Sequence, residues 1–283
     1  MNLAVTMKIL ITVKAYPAIS KKYGETVCTA GITEAGKWIR IYPLPFRQLD
    51  YNNRFKKYDW IELDVIRNTS DFRPESFRPA NVQQIKSAGH IDADGDTWLH
   101  RRRAILDRAR VYTNLSELIA EAKDKTICTS LAIFKPTEII DFMYEPVTSE
   151  WNKSKLAALK SLQAQGNLFD NDDENDIQEF EVVDKVPYKF SFRFLDDTKK
   201  VSTLMIEDWE TGMLYWNSLR RHEGNEKLAC EDVKKKYFDD FAKTKDYYFI
   251  LGTTKAHHYV APNPFVIIGD FRPKHIVQEG LGF

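Results

Sequence analysis

The sequence predicts an α+β fold, with a β-barrel-like N-terminal domain and a smaller C-terminal sheet packed with two helices. Three observations carry this. The first eighty residues hold four short runs rich in β-branched residues, separated by Gly and Pro. Segments of helix formers interrupt the strand pattern after residue 98, over Ser154–Ala164 and again after residue 208. Between the halves, Asp170–Asp184 holds eight acidic residues and no basic one, a like-charge run of the kind that stays solvated as a linker.

Taken in order, Lys8–Val13 is a strand ended by Lys14 and Pro17, and Glu25–Ala30 is a second, closed by Gly31. Lys37–Tyr42 alternates, with Trp38, Arg40 and Tyr42 on one face and Ile39 and Ile41 on the other. Asp59–Ile66 alternates too, and Ile61, Leu63 and Val65 form the face expected in a core. The stretches Pro43–Lys57 and Thr69–Ala80 are then loops. Trp98–Arg110 and Leu115–Ala122 carry helix formers, the second capped by Asn114 or Thr113. Ser130–Phe134 and Glu138–Phe142 resume extended character, and Ser154–Ala164 is a short amphipathic helix ended by Gly166. Beyond the acidic run, Tyr188–Phe194 sets four aromatics on one face against Lys189, Ser191 and Arg193. Val201–Ile206 is a further strand, helices run from Asp208 to Arg221 and over Asn225–Lys243, and Tyr247–Leu251 and Pro264–Ile268 are the last strands.

Composition narrows the function by exclusion. Of 283 residues, 41 are basic and 41 acidic, so no global field draws the chain onto polyanions. No apolar run approaches the ~18 residues of a membrane helix. Cys28, Cys128 and Cys230 are widely scattered, without a C-x-x-C pair, which predicts reduced thiols and a cytoplasmic location rather than a disulfide framework or zinc cage. The phosphate loop, the dinucleotide fingerprint, H-E-x-x-H and G-x-S-x-G are all absent.

Four constellations remain. Residues 1–80 hold 13 basic and 8 acidic side chains. Among them, Trp38 and Tyr42 could stack bases while Arg40, Arg47, Arg73 and Arg78 hold phosphates. The competing reading makes Trp38 and Tyr42 core residues, with Arg40 paired across strands to Asp59 or Glu62. The basic run His100–Arg103 with Arg108 and Arg110 is either a solvated helix face or a phosphate contact. Glu207, Asp208 and Glu210 cluster at a strand-to-helix junction. They could hold Mg²⁺ for phosphodiester cleavage, or Asp208 could simply cap the helix. The loop Gly252–Tyr259 offers Thr253, Lys255, His257 and His258, with His257 a candidate general base. The Asp…Asp/Glu-x-Lys pattern of restriction-type nucleases is not met, Glu181–Lys185 being one residue out of register.

Lys8–Lys14 leading to Val27–Gly31 and Trp38–Arg40, followed by Tyr58–Glu62, Arg73–Ser76 and Ser130–Phe134, resembles the opening of bacterial proteins of the dual OB-containing domain type. The likeness covers roughly residues 8–145. It implies OB-like five-stranded barrels and, by fold analogy, oligonucleotide recognition; the family brings no catalytic residues to transfer. The expected layout is an OB-like barrel with a helical insertion over residues 1–165, an acidic linker over 166–185, and an α+β domain over 186–283, a second OB-like barrel being the alternative. The leading expectation is a nucleic-acid-binding protein, for DNA or RNA, in a bacterial or phage-related DNA-processing or defence system, without a cofactor. The alternatives are a nuclease using Glu207, Asp208, Glu210 and His257 with Mg²⁺, and a small-ligand or protein-interaction module presenting the Tyr188–Phe194 face.

Overall fold

β1 (Val5–Lys14) is buried on both faces from Ile9 to Val13, which is why its sequence reads as an unbroken apolar run. The computed structural model describes residues 3–95, 97–167 and 181–275. Within them β1 pairs antiparallel with β4 (Thr29–Thr33), and β4 with β5 (Trp38–Ile41). β5 runs parallel to β7 (Ser76–Pro79), which returns antiparallel on β6 (Asp59–Arg67). β6 closes back on β1, making a five-stranded OB-like barrel. A short hairpin, β2 (Ala18–Ser20) with β3 (Gly24–Thr26), sits between β1 and β4, and β8 (Lys86–His90) adds to β6.

The alternation expected of β5 and β6 is observed. Ile39, Ile41, Ile61, Leu63 and Val65 fill the barrel with Ile9, Ile11, Leu44, Phe46 and Phe55. Gly31 does not end its strand as expected. The strand continues to Thr33, because β1 and β4 approach so closely that a Cβ at Gly31 would lie 2.2 Å from the Leu10 carbonyl oxygen.

The outer face of the barrel is not free. Leu10 and Ile32 pack against Ala104 and Ile105 of α1 (Leu99–Ile105) and against Ile133, Tyr248 and Phe271. Val13 and Ala30 meet Leu131, Ile250 and Ile268. These partners lie on a four-stranded sheet in the order β15 (Phe265–Phe271), β14 (Tyr248–Thr253), β10 (Leu131–Phe134), β9 (Val111–Tyr112). α2 (Leu115–Lys123) connects β9 to β10 and is capped by Asn114, whose side chain accepts from the Glu117 N–H.

β11 (Glu138–Pro146), β12 (Tyr188–Leu195) and β13 (Val201–Met205) form a three-stranded antiparallel sheet, joined to the other by a parallel bridge between Ile206 and Ile267. The two sheets enclose Phe134, Phe142, Phe190, Phe192, Phe194 and Phe249. α4 (Trp209–Arg221) adds Tyr215 to this core, and α5 (Glu226–Lys234) adds Cys230 and Val233; a π-helical continuation, Lys235–Ala242, adds Tyr237. The aromatic face of Tyr188–Phe194 is therefore core rather than a docking surface. α3 (Lys153–Asn167) runs past Gly166 and lays Leu159 against the β2–β3 hairpin at Gly24.

β10 and β11, from residues 131–146, pair with β14 and β12, from residues 188–253, and β9 joins the same sheet through β10. The second body thus begins well before the expected boundary at 166–185, because pairing register, not the acidic run, decides which strands share a sheet. Most of that acidic run lies outside the described residues. Its last part is held on the barrel: Glu25 accepts from the Val183 N–H, and the Tyr16 hydroxyl donates to the Asp184 carbonyl. Among the described residues no helix is long and apolar enough to cross a membrane.

Candidate functional site

Two of the predicted phosphate-binding arginines are buried at the seam between barrel and sheet. Arg40 is 2% exposed; its Nη1 donates to the Thr253 carbonyl at 3.0 Å and its Nη2 to the Ser130 carbonyl at 3.1 Å. Its carboxylate partner is Glu75, 3.7 Å away, rather than Asp59 or Glu62. Arg73 is 5% exposed, clamps Asp71 through Nε and Nη2, and donates from Nη1 to the same Thr253 carbonyl. The face of the barrel that an OB-like fold offers to oligonucleotides is occupied here by the chain's own β14 end, so Arg40 and Arg73 are tie points, not phosphate ligands.

The other expected contacts are dispersed. Trp38 is half-buried and lines an open groove with Lys8, Lys37 and Phe77. Tyr42 packs edge-on against Tyr23, and Arg47 pairs with Glu25 at 2.8 Å. Arg78 is exposed on β7 and makes no ion pair among the described residues. In the basic run, Arg102 pairs with Asp246, and Arg110 with Glu117 and Glu121, leaving Arg101 turned inward.

The carboxylate cluster is divided as well. Residues 206–208 form an extended stitch: Ile206 bridges Ile267, the Tyr16 N–H donates to the Glu207 carbonyl, and Asp208 bridges Ala15. Successive side chains of extended backbone point to opposite sides. Glu207 accordingly lines a separate, largely apolar cavity of about 380 Å³ with Tyr16, Trp151 and Tyr188, where burial raises its pKa against the pull of His257. His257 itself sits on the surface, hydrogen-bonded to Thr254. The built-in histidine is its neighbour. His258 is fully buried, donates from Nε2 to the Ala122 carbonyl at 2.7 Å, and accepts at Nδ1 from Thr253; burial lowers its pKa. Neither histidine joins the carboxylates.

Glu210 and Asp208, which also borders the first cavity, line a second one, of about 480 Å³, together with Lys14, Lys56, Lys57, Tyr58, Trp98, Arg101, Trp209 and Arg272. It forms where three elements converge: the end of β1 with the turn before β6, the start of α1, and the β13–α4 junction beside the end of β15. Asp270 completes the cluster, its carboxylate oxygens lying with those of Asp208 and Glu210 within 4.8 Å of one another. Lys57 reaches Asp270 at 3.1 Å and Glu210 at 3.7 Å, and Arg272 pairs with both. Burial opposes ionisation of Asp270, but Arg272 and Lys57 outweigh it and hold the carboxyl at about 2.

Asp208 behaves differently. It occupies the N-cap position of α4 yet makes no capping bond, and its Oδ2 is buried without a partner among the described residues. Burial, with Lys57 pulling the other way, pushes its pKa up to about 7. The expected cap is not formed.

Arg101 forms part of the opposite wall. Its Nε donates to the Ile91 carbonyl at 2.9 Å, and its guanidinium lies 3.9 Å from the Tyr58 ring centroid and 4.8 Å from that of Trp98. Its two terminal nitrogens have no acceptor among the described residues. Lys14 lies over Phe46 and Trp209, and burial lowers its pKa.

Sequence reasoning missed Lys14, Lys57, Tyr58, Arg101, Asp270 and Arg272 as one group. The available signal was charge at the ends of apolar strands: Lys14 closes β1, Lys57 precedes β6, and Asp270 and Arg272 stand two apart at the end of β15.

Comparison with known proteins divides the chain at the same place as the strand pairing. Residues 5–107 match a family described as Domain of unknown function (DUF8758), which takes in the barrel and α1. Residues 111–281 match one described as Domain of unknown function (DUF8757), which takes in both sheets. No curated protein matches the chain. Since the second match spans more than half of its length, the chain belongs to the family described as Domain of unknown function (DUF8757).

Proposed function

We propose that the protein binds a phosphate-bearing nucleotide unit, at a nucleic-acid strand end or free, in the cavity between barrel and second body. Five cationic side chains, Lys14, Lys56, Lys57, Arg101 and Arg272, line it against two carboxylates, and Tyr58, Trp98 and Trp209 supply aromatic surface. Cations recognise phosphate and rings recognise bases. The volume falls within the ~300–1,000 Å³ usual for a small-ligand site.

The observation that carries the reading is Arg101. A guanidinium fixed by one hydrogen bond and lying over Tyr58, with both terminal nitrogens unengaged among the described residues, is preorganised to take an anion in a bidentate fork. A helix face meant only for solvation would not fold its arginine inward.

Fluorescence anisotropy with 5′-phosphorylated and 5′-hydroxyl oligonucleotides, single-stranded DNA and RNA in parallel, tests this. Mononucleotides as competitors separate a free nucleotide from a strand end. The phosphorylated strand should bind tighter, with affinity falling steeply as salt rises, and Arg101→Lys should weaken it by keeping charge while losing the planar fork. Equal binding of the two strands, or an unaltered Arg101→Lys protein, would exclude this cavity as the phosphate site.

A further inference from the structure

We propose that Asp208, Glu210 and Asp270 bind a divalent cation of the Mg²⁺ class at the wall of this cavity, positioned to bridge to the ligand's phosphate; the bridging role, though not the cation itself, rests on the phosphate reading above. The three carboxylates converge from two separate elements, the β13–α4 junction and the end of β15, with oxygens within 4.8 Å of one another. Convergence alone is common among acidic groups. The second observation is Asp208. It is 5% exposed, lines the cavity, and keeps Oδ2 buried with no hydrogen-bond partner although it stands where a helix cap would form. A buried carboxylate oxygen left unmatched is costly, and a cation supplies the partner that the protein does not.

The ion pairs agree: Lys57 and Arg272 each pair with Glu210 and Asp270, and neither pairs with Asp208. Lys57 spans Asp270 and Glu210 by a flexible stem, and a cation arriving between them would free its ammonium toward the cavity. The donors are all hard oxygens, without His or Cys, which selects Mg²⁺ or Mn²⁺ over Zn²⁺. A Mg²⁺-class ion held by a few carboxylates characteristically completes its shell with water and substrate phosphate.

This revises the expected metal set, replacing Glu207 and His257 by Asp270. The test uses the full chain with metal alone and no nucleic acid. Tb³⁺ emission sensitised by the nearby Trp209 and Trp98 indoles, displaced by Mn²⁺ or Mg²⁺, reports occupancy, and Mn²⁺ uptake is counted by electron paramagnetic resonance. The wild type should show displaceable emission; Asp208→Asn, which removes no hydrogen bond from the fold, should weaken Mn²⁺ binding at least about tenfold, one 1.4 kcal/mol step. Glu207→Gln, facing the other cavity, should bind as the wild type does. No sensitised emission and no uptake above that of Asp208→Asn would overturn the cation site. Loss of metal binding with phosphate discrimination intact sinks this inference alone, whereas metal binding without phosphate discrimination sinks only the bridging role and the reading beneath it.

Discussion

Two clusters of buried charge tie the barrel to the second body, and they differ in how completely their polar groups are used. At the Arg40–Arg73 seam, guanidinium donors meet the Thr253 and Ser130 carbonyls and the Asp71 and Glu75 carboxylates, with only the Arg40 Nε left over. At the Lys57–Arg272 cluster the ion pairs are as close, but Asp208 Oδ2 is unpartnered, Arg101 has two idle nitrogens, and all of them border a cavity of about 480 Å³. The first arrangement is closed and explains cohesion. The second is open and has room for a ligand. Both involve arginines that sequence alone would assign to phosphate, so the difference lies in the company each guanidinium keeps.

The seam should fail first. Arg73→Ala leaves Asp71 buried without its partner and should destabilise the protein by about 3–5 kcal/mol, read from urea midpoints. A loss under about 1 kcal/mol would mean the seam is not closed in solution. Gly31→Ala comes next. The new methyl meets the Leu10 carbonyl, and overpacking should cost about 1–3 kcal/mol, with unchanged stability contradicting the tight β1–β4 approach.

The seam also has a pH signature. Burial raises the Asp71 pKa, but hydrogen bonds and charge from Arg73 outweigh it and hold the carboxyl at about 2. A depressed carboxyl contributes its stability above the ordinary range near ~4 and loses it as pH falls through the folded value. Stability should therefore drop as pH falls from about 4 to 2, and Asp71→Asn should flatten that limb. The smallest effects belong to exposed cations. Arg78→Ala and Lys56→Ala should each stay within about 0.5 kcal/mol of wild type, and of the two only Lys56→Ala should weaken phosphate binding.

Much of the barrel was legible because alternation reports burial directly: Ile39 and Ile41 against Trp38 and Arg40, and Ile61, Leu63 and Val65 against their neighbours, fall as the pattern requires. What alternation cannot report is what covers the other face. Arg40 faces away from the barrel core, as expected, and is buried all the same, because β14 lies on top of it. The site was harder still. Glu207 and Asp208 are adjacent in sequence, yet only Asp208 borders the cavity of about 480 Å³, while Asp208 and Asp270, far apart in the chain, bring their carboxylate oxygens within 4.8 Å of each other. Proximity along a chain is a fair guide within a helix and misleading along extended backbone, where each step reverses the side.

The most direct test of the division between closed seam and open cavity is the salt dependence of binding to a 5′-phosphorylated oligonucleotide by wild type, Lys56→Ala and Arg78→Ala. Lys56→Ala should lower the slope of log K against log salt by about one, and Arg78→Ala should match wild type. A slope lowered by Arg78→Ala but not by Lys56→Ala would contradict that division, returning the phosphate contact to the barrel surface.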